Sequence, residues 1–233
     1  MEVIPVLDLK DGAVVHARMG RRSQYRPIET PLSSTSKPDD VACGLLSIYP
    51  FKTFYIADLD AIERKGDNNA VLARLKAEFP NLTFWVDNGV ADLASAQCWL
   101  DADLGHLVLG SESQRDDYLV SCFSRDERVI MSLDYREDAF VGPAGLLSDA
   151  TTWPSRIITM TLARVGSALG PDVNRLSAIR SRVPEKLVYA AGGVRNAVDL
   201  AALSRAGIAG ALVASCLHNG ELTGPQIARL LAA

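Results

Sequence analysis

Two aspartates stand in near-identical surroundings, Asp8 in LDLKDGAVV and Asp134 in LDYREDAFV, each with Leu before it and Val seven residues after it. Two carboxylates facing one another across a closed pocket can divide proton transfer between them, one raised in pKa by burial and mutual repulsion. The alternative is that each caps a loop or pairs with a neighbouring cation, Lys10 or Arg136. A second set of residues is suited to an anion. Gly192-Gly193 lets amide N–H groups turn toward a ligand without a Cβ in the way, and Ala214-Ser215 opens a short helix behind it. Asn88-Gly89 with Gly110-Ser111 repeats the set earlier in the chain, since Gly89 to Ser111 and Gly193 to Ser215 span the same 22 residues (111−89 and 215−193). In the earlier copy Asp87 and Asn88 replace Ala191 and Gly192, and a carboxylate beside a phosphate costs Coulomb energy. One good phosphate site is therefore expected at the later copy. The earlier one is expected to be lost, or altered to take a neutral or cationic group.

The elements that must position these residues alternate regularly. Apolar, β-branched runs at 2–8, 52–58, 82–87, 105–110, 128–134, 156–162, 186–191 and 208–214 read as strands buried on both faces. Helical periodicity at 38–48, 68–79, 91–101, 172–181, 195–206 and 222–232 separates most of them, with starts signalled by Asp92, Asp172, Asn196 and Thr223-Gly-Pro225. Eight strands so separated predict a (β/α)8 barrel, and the repeated spacing predicts a two-fold half-barrel repeat, about 1–124 and 125–233, within a single domain 1–233. Residues 135–155 leave room for only a turn or two of helix, so the fifth helix is expected to be truncated. The polar stretch 17–37 is expected to form a long mobile loop over one mouth. In such a barrel the chemistry sits at the C-terminal strand ends. That selects Asp8, Asp58, Asp87, Asp134 and Thr161. Asp58 and Asp60 are as readily structural acceptors as catalysts.

Composition excludes several classes. With 233 residues, 48% hydrophobic, the chain can bury one large core. A net charge of −4 with no basic run longer than Arg21-Arg22 gives no footprint for nucleic acid. The opening MEVIPVLDLKDG is interrupted by Asp8 and reads as neither signal peptide nor membrane span, so a cytoplasmic location is expected. Cys43, Cys98, Cys122 and Cys216 form no Cys-x-x-Cys pair and read as buried free thiols. His16, His106 and His218 fall on a hairpin, a strand start and a helix after a strand without shared spacing, so no metal is predicted. Arg18, Arg21 and Arg22 either close over a second anionic group or remain solvated.

IPVLDLKDGAVV, FYIADLDA, the glycine turn before LVLGSES, and AAGGV with ALVASCLHNG, in that order over most of the chain, resemble the histidine-biosynthesis barrel family. That family includes the ProFAR isomerase and the cyclase of imidazole glycerol phosphate synthase. The resemblance implies a duplicated barrel and a substrate phosphorylated at each end; no metal or organic cofactor is expected. It further implies an acid/base role for Asp8, a strand 5 aspartate at Asp134, and phosphate loops at Gly192, Gly193, Ala214 and Ser215. The chain departs from the family pattern at Val165, which stands where the isomerase has its strand 6 aspartate, and at Asp87-Asn88-Gly89, which replaces three glycines. Thr161 remains to orient a substrate hydroxyl. Three readings follow. The first is a diverged isomerase or lyase of a sugar phosphate or ribosylamine, the resemblance extending to proteins of tetrahydromethanopterin-type one-carbon cofactor biosynthesis. The second is a histidine-pathway isomerase or cyclase. The third is a non-catalytic ligand-binding or partner subunit.

Overall fold

The computed structural model describes residues 1–167 and 169–232. Its parallel strands are β1 (Glu2–Lys10), β2 (Thr53–Asp58), β3 (Thr83–Asp87), β4 (His106–Gly110), β5 (Val129–Arg136), β6 (Arg156–Thr161), β7 (Leu187–Ala191) and β8 (Gly210–Val213). Each pairs with the next, and β8 closes on β1 from Glu2 opposite Gly210 to Pro5 opposite Val213. The ring is an eight-stranded (β/α)8 barrel.

The strands are apolar at nearly every position because both faces are covered. Leu7, Phe54, Ile56, Val86, Leu107 and Leu109 point out beneath the helices, while Ile4, Tyr55, Trp85, Val108, Ile130, Ile158, Tyr189 and Leu212 point in and fill the interior. Trp85 and Tyr189 meet edge to face across it, with ring centroids 4.9 Å apart. Strand alternation then fixes what stands one layer higher, at the C-terminal mouth: Asp8, Ala57, Asp87, Gly110, Asp134, Met160 and Ala191 point inward. The same parity turns Asp58 and Thr161 away from the axis.

Helices lie at Pro38–Ile48, Asn69–Glu78, Leu93–Ala102, Val173–Arg182, Ala197–Arg205 and Gly224–Ala232, each within two residues of its expected span. Asp92, Asp172 and Asn196 accept backbone N–H groups of the first turns of their helices, as N-caps do. The helix after β4, Tyr118–Cys122, has five residues and is too short to show a period. After β5 come only a four-residue helix, Gly145–Ser148, and a 3-10 turn. Trp153 fills the space beneath them, 1% exposed, with its indole N–H donating to the Leu146 carbonyl at 2.7 Å.

Each repeated Asp context is a β-hairpin. Asp8 lies opposite Val15 and Asp134 opposite Val141, in short return strands Ala13–Val15 and Ala139–Val141. The first turn, Asp11-Gly12, has φ of 51° and 77°, the two-residue geometry that favours Asp-Gly. The stretch 17–37 is fastened rather than loose. Tyr25 and Ile28 are buried, Ile28 N–H donates to the Val14 carbonyl at 2.8 Å, and Met19 N–H donates to the Val165 carbonyl at 2.9 Å. The buried-thiol expectation holds for Cys216 alone, because Cys43, Cys98 and Cys122 are exposed. No described helix is long and apolar enough to cross a membrane.

Candidate active site

A cavity of about 690 Å³ opens at the C-terminal mouth. Asp87 and Asp134 line one side, Gly192, Gly193, Ala214 and Ser215 the other, and Asp8 lies between them on β1. Arg18, Arg22 and Tyr25 of the stretch after the first hairpin also line it.

The three carboxylates differ in how they are held. Asp134 is clamped: the Ser132 hydroxyl donates to Oδ1 at 2.7 Å and the Glu112 N–H to Oδ2 at 3.1 Å. The Ser111 hydroxyl sits 3.1 Å from Asp134 Oδ2 but 2.7 Å from the Val141 carbonyl, and its oxygen accepts the Asp134 N–H at 2.8 Å. Burial raises Asp134 to about 6, with the Ser132 bond holding it down. Asp87 accepts the Gly89 N–H on Oδ1 at 3.1 Å, and burial, reinforced by the charge of Asp134, raises it to about 7. A Cβ at Gly110 would stand 2.9 Å from Asp87 Oδ2 and 3.4 Å from Asp134 Oδ2. Glycine on the intervening strand is what lets these two carboxylates share the space. Asp8 has no hydrogen-bond partner among the described residues, and burial raises it to about 7 against the pull of Arg22. Arg22 forms an ion pair with Glu112. Tyr55, 3% exposed, lines the cavity, and burial followed by the charges of Asp87, Asp134, Asp8 and Glu112 raises its phenol well above the usual value.

The opposite side is built from backbone. Gly192 and Gly193 have φ of 98° and 87°, a region L side chains rarely adopt. A Cβ on Gly193 would lie 2.3 Å from the Gly170 carbonyl oxygen, and one on Gly192 2.6 Å from that of Thr161. The turn therefore requires glycine twice. Among the described residues, the Gly193 and Ser215 N–H groups donate to no backbone carbonyl, and both residues face the cavity. Such amides can take an anion. Arg195 beside them is held by Asp199 through Nε and Nη2 at 2.9 and 2.8 Å. His218 is lowered to about 4 by burial and then by His16, and its Nδ1 lies 3.1 Å from the Thr30 hydroxyl.

Asp8, Asp134, Gly192, Gly193, Ala214 and Ser215 are thus brought to one cavity. The other expected residues are not. Asn88, Gly89, Gly110 and Ser111 do not line it. Ser111 is fully buried beneath Asp134, and a Cβ on Gly89 would stand 2.8 Å from Ile62 Cα. Gly89 borders a separate recess of about 230 Å³ with Arg22, Arg64, Glu112 and Ser113. Thr161 is a correction: parity turns it outward, where its hydroxyl accepts from Arg175 at 3.3 Å, and Met160 takes the inward place. Asp58 and Asp60 are structural acceptors, both taking the Asn68 side-chain amide, at 2.7 and 2.9 Å. Val165 lines the cavity with an apolar side chain. Tyr55 and Glu112 were not legible as site residues, although counting by twos from Trp85 and Val108 singles out Asp87 and Gly110 as inward-facing; of the arginines expected either to close over an anion or to stay solvated, Arg18 and Arg22 line the cavity, Arg22 paired with Glu112. No group of three or more His, Cys, Asp or Glu side chains among the described residues is arranged to hold a metal ion.

A family model described as histidine biosynthesis protein matches residues 2–223. An uncharacterized protein of Methanocaldococcus jannaschii is 27% identical over 226 residues, 95% of each chain. Imidazole-4-carboxamide isomerases of the ProFAR type are similar as well. The one from Pseudomonas syringae pv. tomato is 27% identical over 243 aligned positions, covering 95% of this chain and 94% of the relative. The one from Stenotrophomonas maltophilia is 29% identical over 235, covering 92% and 93%. With the match running from the first barrel strand to beyond the last, the chain belongs to the histidine biosynthesis protein family.

Proposed function

We propose that this protein is an isomerase or lyase diverged from the ProFAR isomerase, acting on a phosphorylated sugar or ribosylamine-type substrate with Asp8 and Asp134 as the proton-transfer pair. The observation that carries the reading is that both aspartates line the same cavity as the Gly192-Gly193 turn. A phosphate on that turn would hold one end of the substrate and leave its sugar carbons between the acids.

The two environments divide the roles. Asp8, unpartnered and raised to about 7, carries a proton for part of its population near neutrality and serves as the acid. Asp134, whose carboxylate accepts from Ser132 and from the Glu112 N–H, serves as the base. For a ribosylamine, Asp8 gives its proton to the ring oxygen as the C1–O bond breaks, and the nitrogen lone pair forms C1=N. Asp134 then takes the C2 proton, the C2–H electron pair forms C1=C2 as the C1=N pair returns to nitrogen, and the resulting enaminol tautomerises to the ketose. The acid that resemblance puts at position 165 is replaced by valine, so the second proton-transfer group is assigned to β5 instead.

The proposed setting is one-carbon cofactor assembly of the tetrahydromethanopterin type, supported by the resemblance and by the departures at Val165 and Asp87. Val165 also favours a second reading, a barrel that binds a phosphorylated ligand without turning it over. The test is turnover of ProFAR at high enzyme concentration, followed by the ultraviolet change on isomerisation. Asp8→Asn is expected to lower kcat/KM by about 10²–10⁴-fold. Normal turnover by folded Asp8→Asn and Asp134→Asn proteins would remove the pair. Ligand binding without turnover of ProFAR would direct the search to singly phosphorylated sugars and one-carbon cofactor precursors.

A further inference from the structure

The mouth of the barrel is electrostatically lopsided: Asp87 and Asp134 line the side of the cavity away from the glycine turn, whereas Arg64, which borders Gly89, lines the separate recess instead. The Gly89 amide, which an anion there would use, is taken by Asp87 Oδ1 at 3.1 Å. Arg22 is engaged by Glu112. An anion arriving at this side would meet Asp87, Asp134 and Asp8 across a buried, low-dielectric space.

What Asp87 lacks there is a donor for its second oxygen. Asp87 is 6% exposed, and its Oδ2 has no hydrogen-bond partner among the described residues. Asp134 Oδ2 stands beside it across Gly110 and accepts the Glu112 N–H. The Tyr55 hydroxyl is a separate observation from the carboxylates. Its residue is 97% buried, it lines the same cavity as Asp87 and Asp134, and no described group bonds it. Two carboxylate oxygens and a phenol oxygen offer three acceptors, and an alkylammonium carries three N–H donors on a single charge. Among the described residues no third His, Cys, Asp or Glu joins the two carboxylates in a group arranged to hold a metal ion.

We infer that Asp87, Asp134 and Tyr55 form a subsite for a primary ammonium group, so that the ligand of this barrel carries a phosphate at one end and a protonated amine at the other. The inference rests on the proposed phosphate site at Gly192-Gly193 and names the substrate class that site would serve. An ammonium there holds Asp87 and Asp134 ionised, which keeps Asp134 in the base form and leaves Asp8 as the acid. The charged and titratable groups facing Asp87 are Asp134, Glu112, Arg22 and Tyr55, with Asp8 facing the same phenol. Because burial raises Asp87 to about 7, binding the amine releases protons near neutrality.

The experiment measures calorimetric affinities for inorganic phosphate and for ω-aminoalkyl phosphates of increasing length. Hydroxyalkyl phosphates and alkyl bisphosphates of matching lengths are the comparison. At the best length the amine is expected to bind at least about tenfold more tightly than its hydroxyl counterpart, with the bisphosphate weakest. Asp87→Asn is expected to abolish that preference and leave inorganic phosphate affinity unchanged. Equal binding of amine and hydroxyl at every length, or tighter binding of the bisphosphate, overturns the inference while the phosphate site stands. Failure of every phosphate to bind overturns the phosphate site and the inference with it. Proton release, read in buffers of different ionisation enthalpy, decides the matter in the unmodified protein should Asp87→Asn not fold, and its absence counts against the subsite.

Discussion

The turn after β3 and the turn after β7 have the same kind of backbone and opposite surroundings. Gly89 and Gly193 both have positive φ, 68° and 87°, and in each turn a Cβ would strike neighbouring backbone. After β7 the inward residues are Ala191 and two glycines, so the amides are what the cavity meets. After β3 the inward residue is Asp87, whose own carboxylate satisfies the amide that would otherwise be offered. A single inward position thus decides whether the same turn presents positive or negative potential. Shape is carried by the glycines and charge by the residue one strand-end away.

The comparison can be broken most directly at the glycines. Gly193→Ala places a Cβ 2.3 Å from the Gly170 carbonyl at a φ disfavoured for alanine, and is expected to cost about 1–3 kcal/mol of stability and at least tenfold in phosphate affinity. Gly89→Ala, with its Cβ 2.8 Å from Ile62 Cα, is expected to cost about as much stability but to leave phosphate affinity intact. Denaturant melts and phosphate titrations on both variants check this; loss of phosphate binding in Gly89→Ala would mean that the turns are not electrostatically distinct.

A smaller effect sharpens the charge side. Burial raises Asp87 in the folded state from its ordinary 3.8 to about 7, so the folded protein binds its proton more tightly than the unfolded chain does. Its contribution is therefore most favourable below the unfolded pKa and is lost as pH rises from about 4 to about 7. Asp87→Asn removes that loss, and is expected to stabilise the protein by about 1–4 kcal/mol near pH 8 while gaining nothing near pH 4. Melting temperatures across that range measure it. A gain independent of pH would show that the carboxylate is not held in the environment described. The smallest effect is at Thr161. Thr161→Val is expected to leave kcat/KM within about twofold, because the hydroxyl serves Arg175 outside the cavity. A drop as large as that of Asp8→Asn would place it back among the reacting groups.

How much of this was legible depends on what sets each feature. Strand and helix positions follow from burial on one or two faces, which writes a period into the sequence, and the expected spans differ from the observed ones by a residue or two at most ends. The return strands were hidden because three residues carry no period, although Asp11-Gly12 and the Val seven residues after each Asp held their trace. Asp8 and Asp134 were legible as strand-end acids. Thr161 was not, since a one-residue error in where a strand ends reverses the face a side chain occupies. Tyr55 and Glu112 reach the site through tertiary geometry, one from within a strand that reads as core and the other from a 3-10 turn whose position depends on β5 beside it.

The stretch that covers the mouth is joined to the turn after β6 through main-chain atoms, Met19 N–H to the Val165 carbonyl. Because that tie asks nothing of the side chain at 165, the position can exchange an acid for an apolar residue without uncoupling the cover from the barrel. At this point the main chain carries the architecture and the side chain the chemistry, so a substitution at 165 can alter one while leaving the other in place.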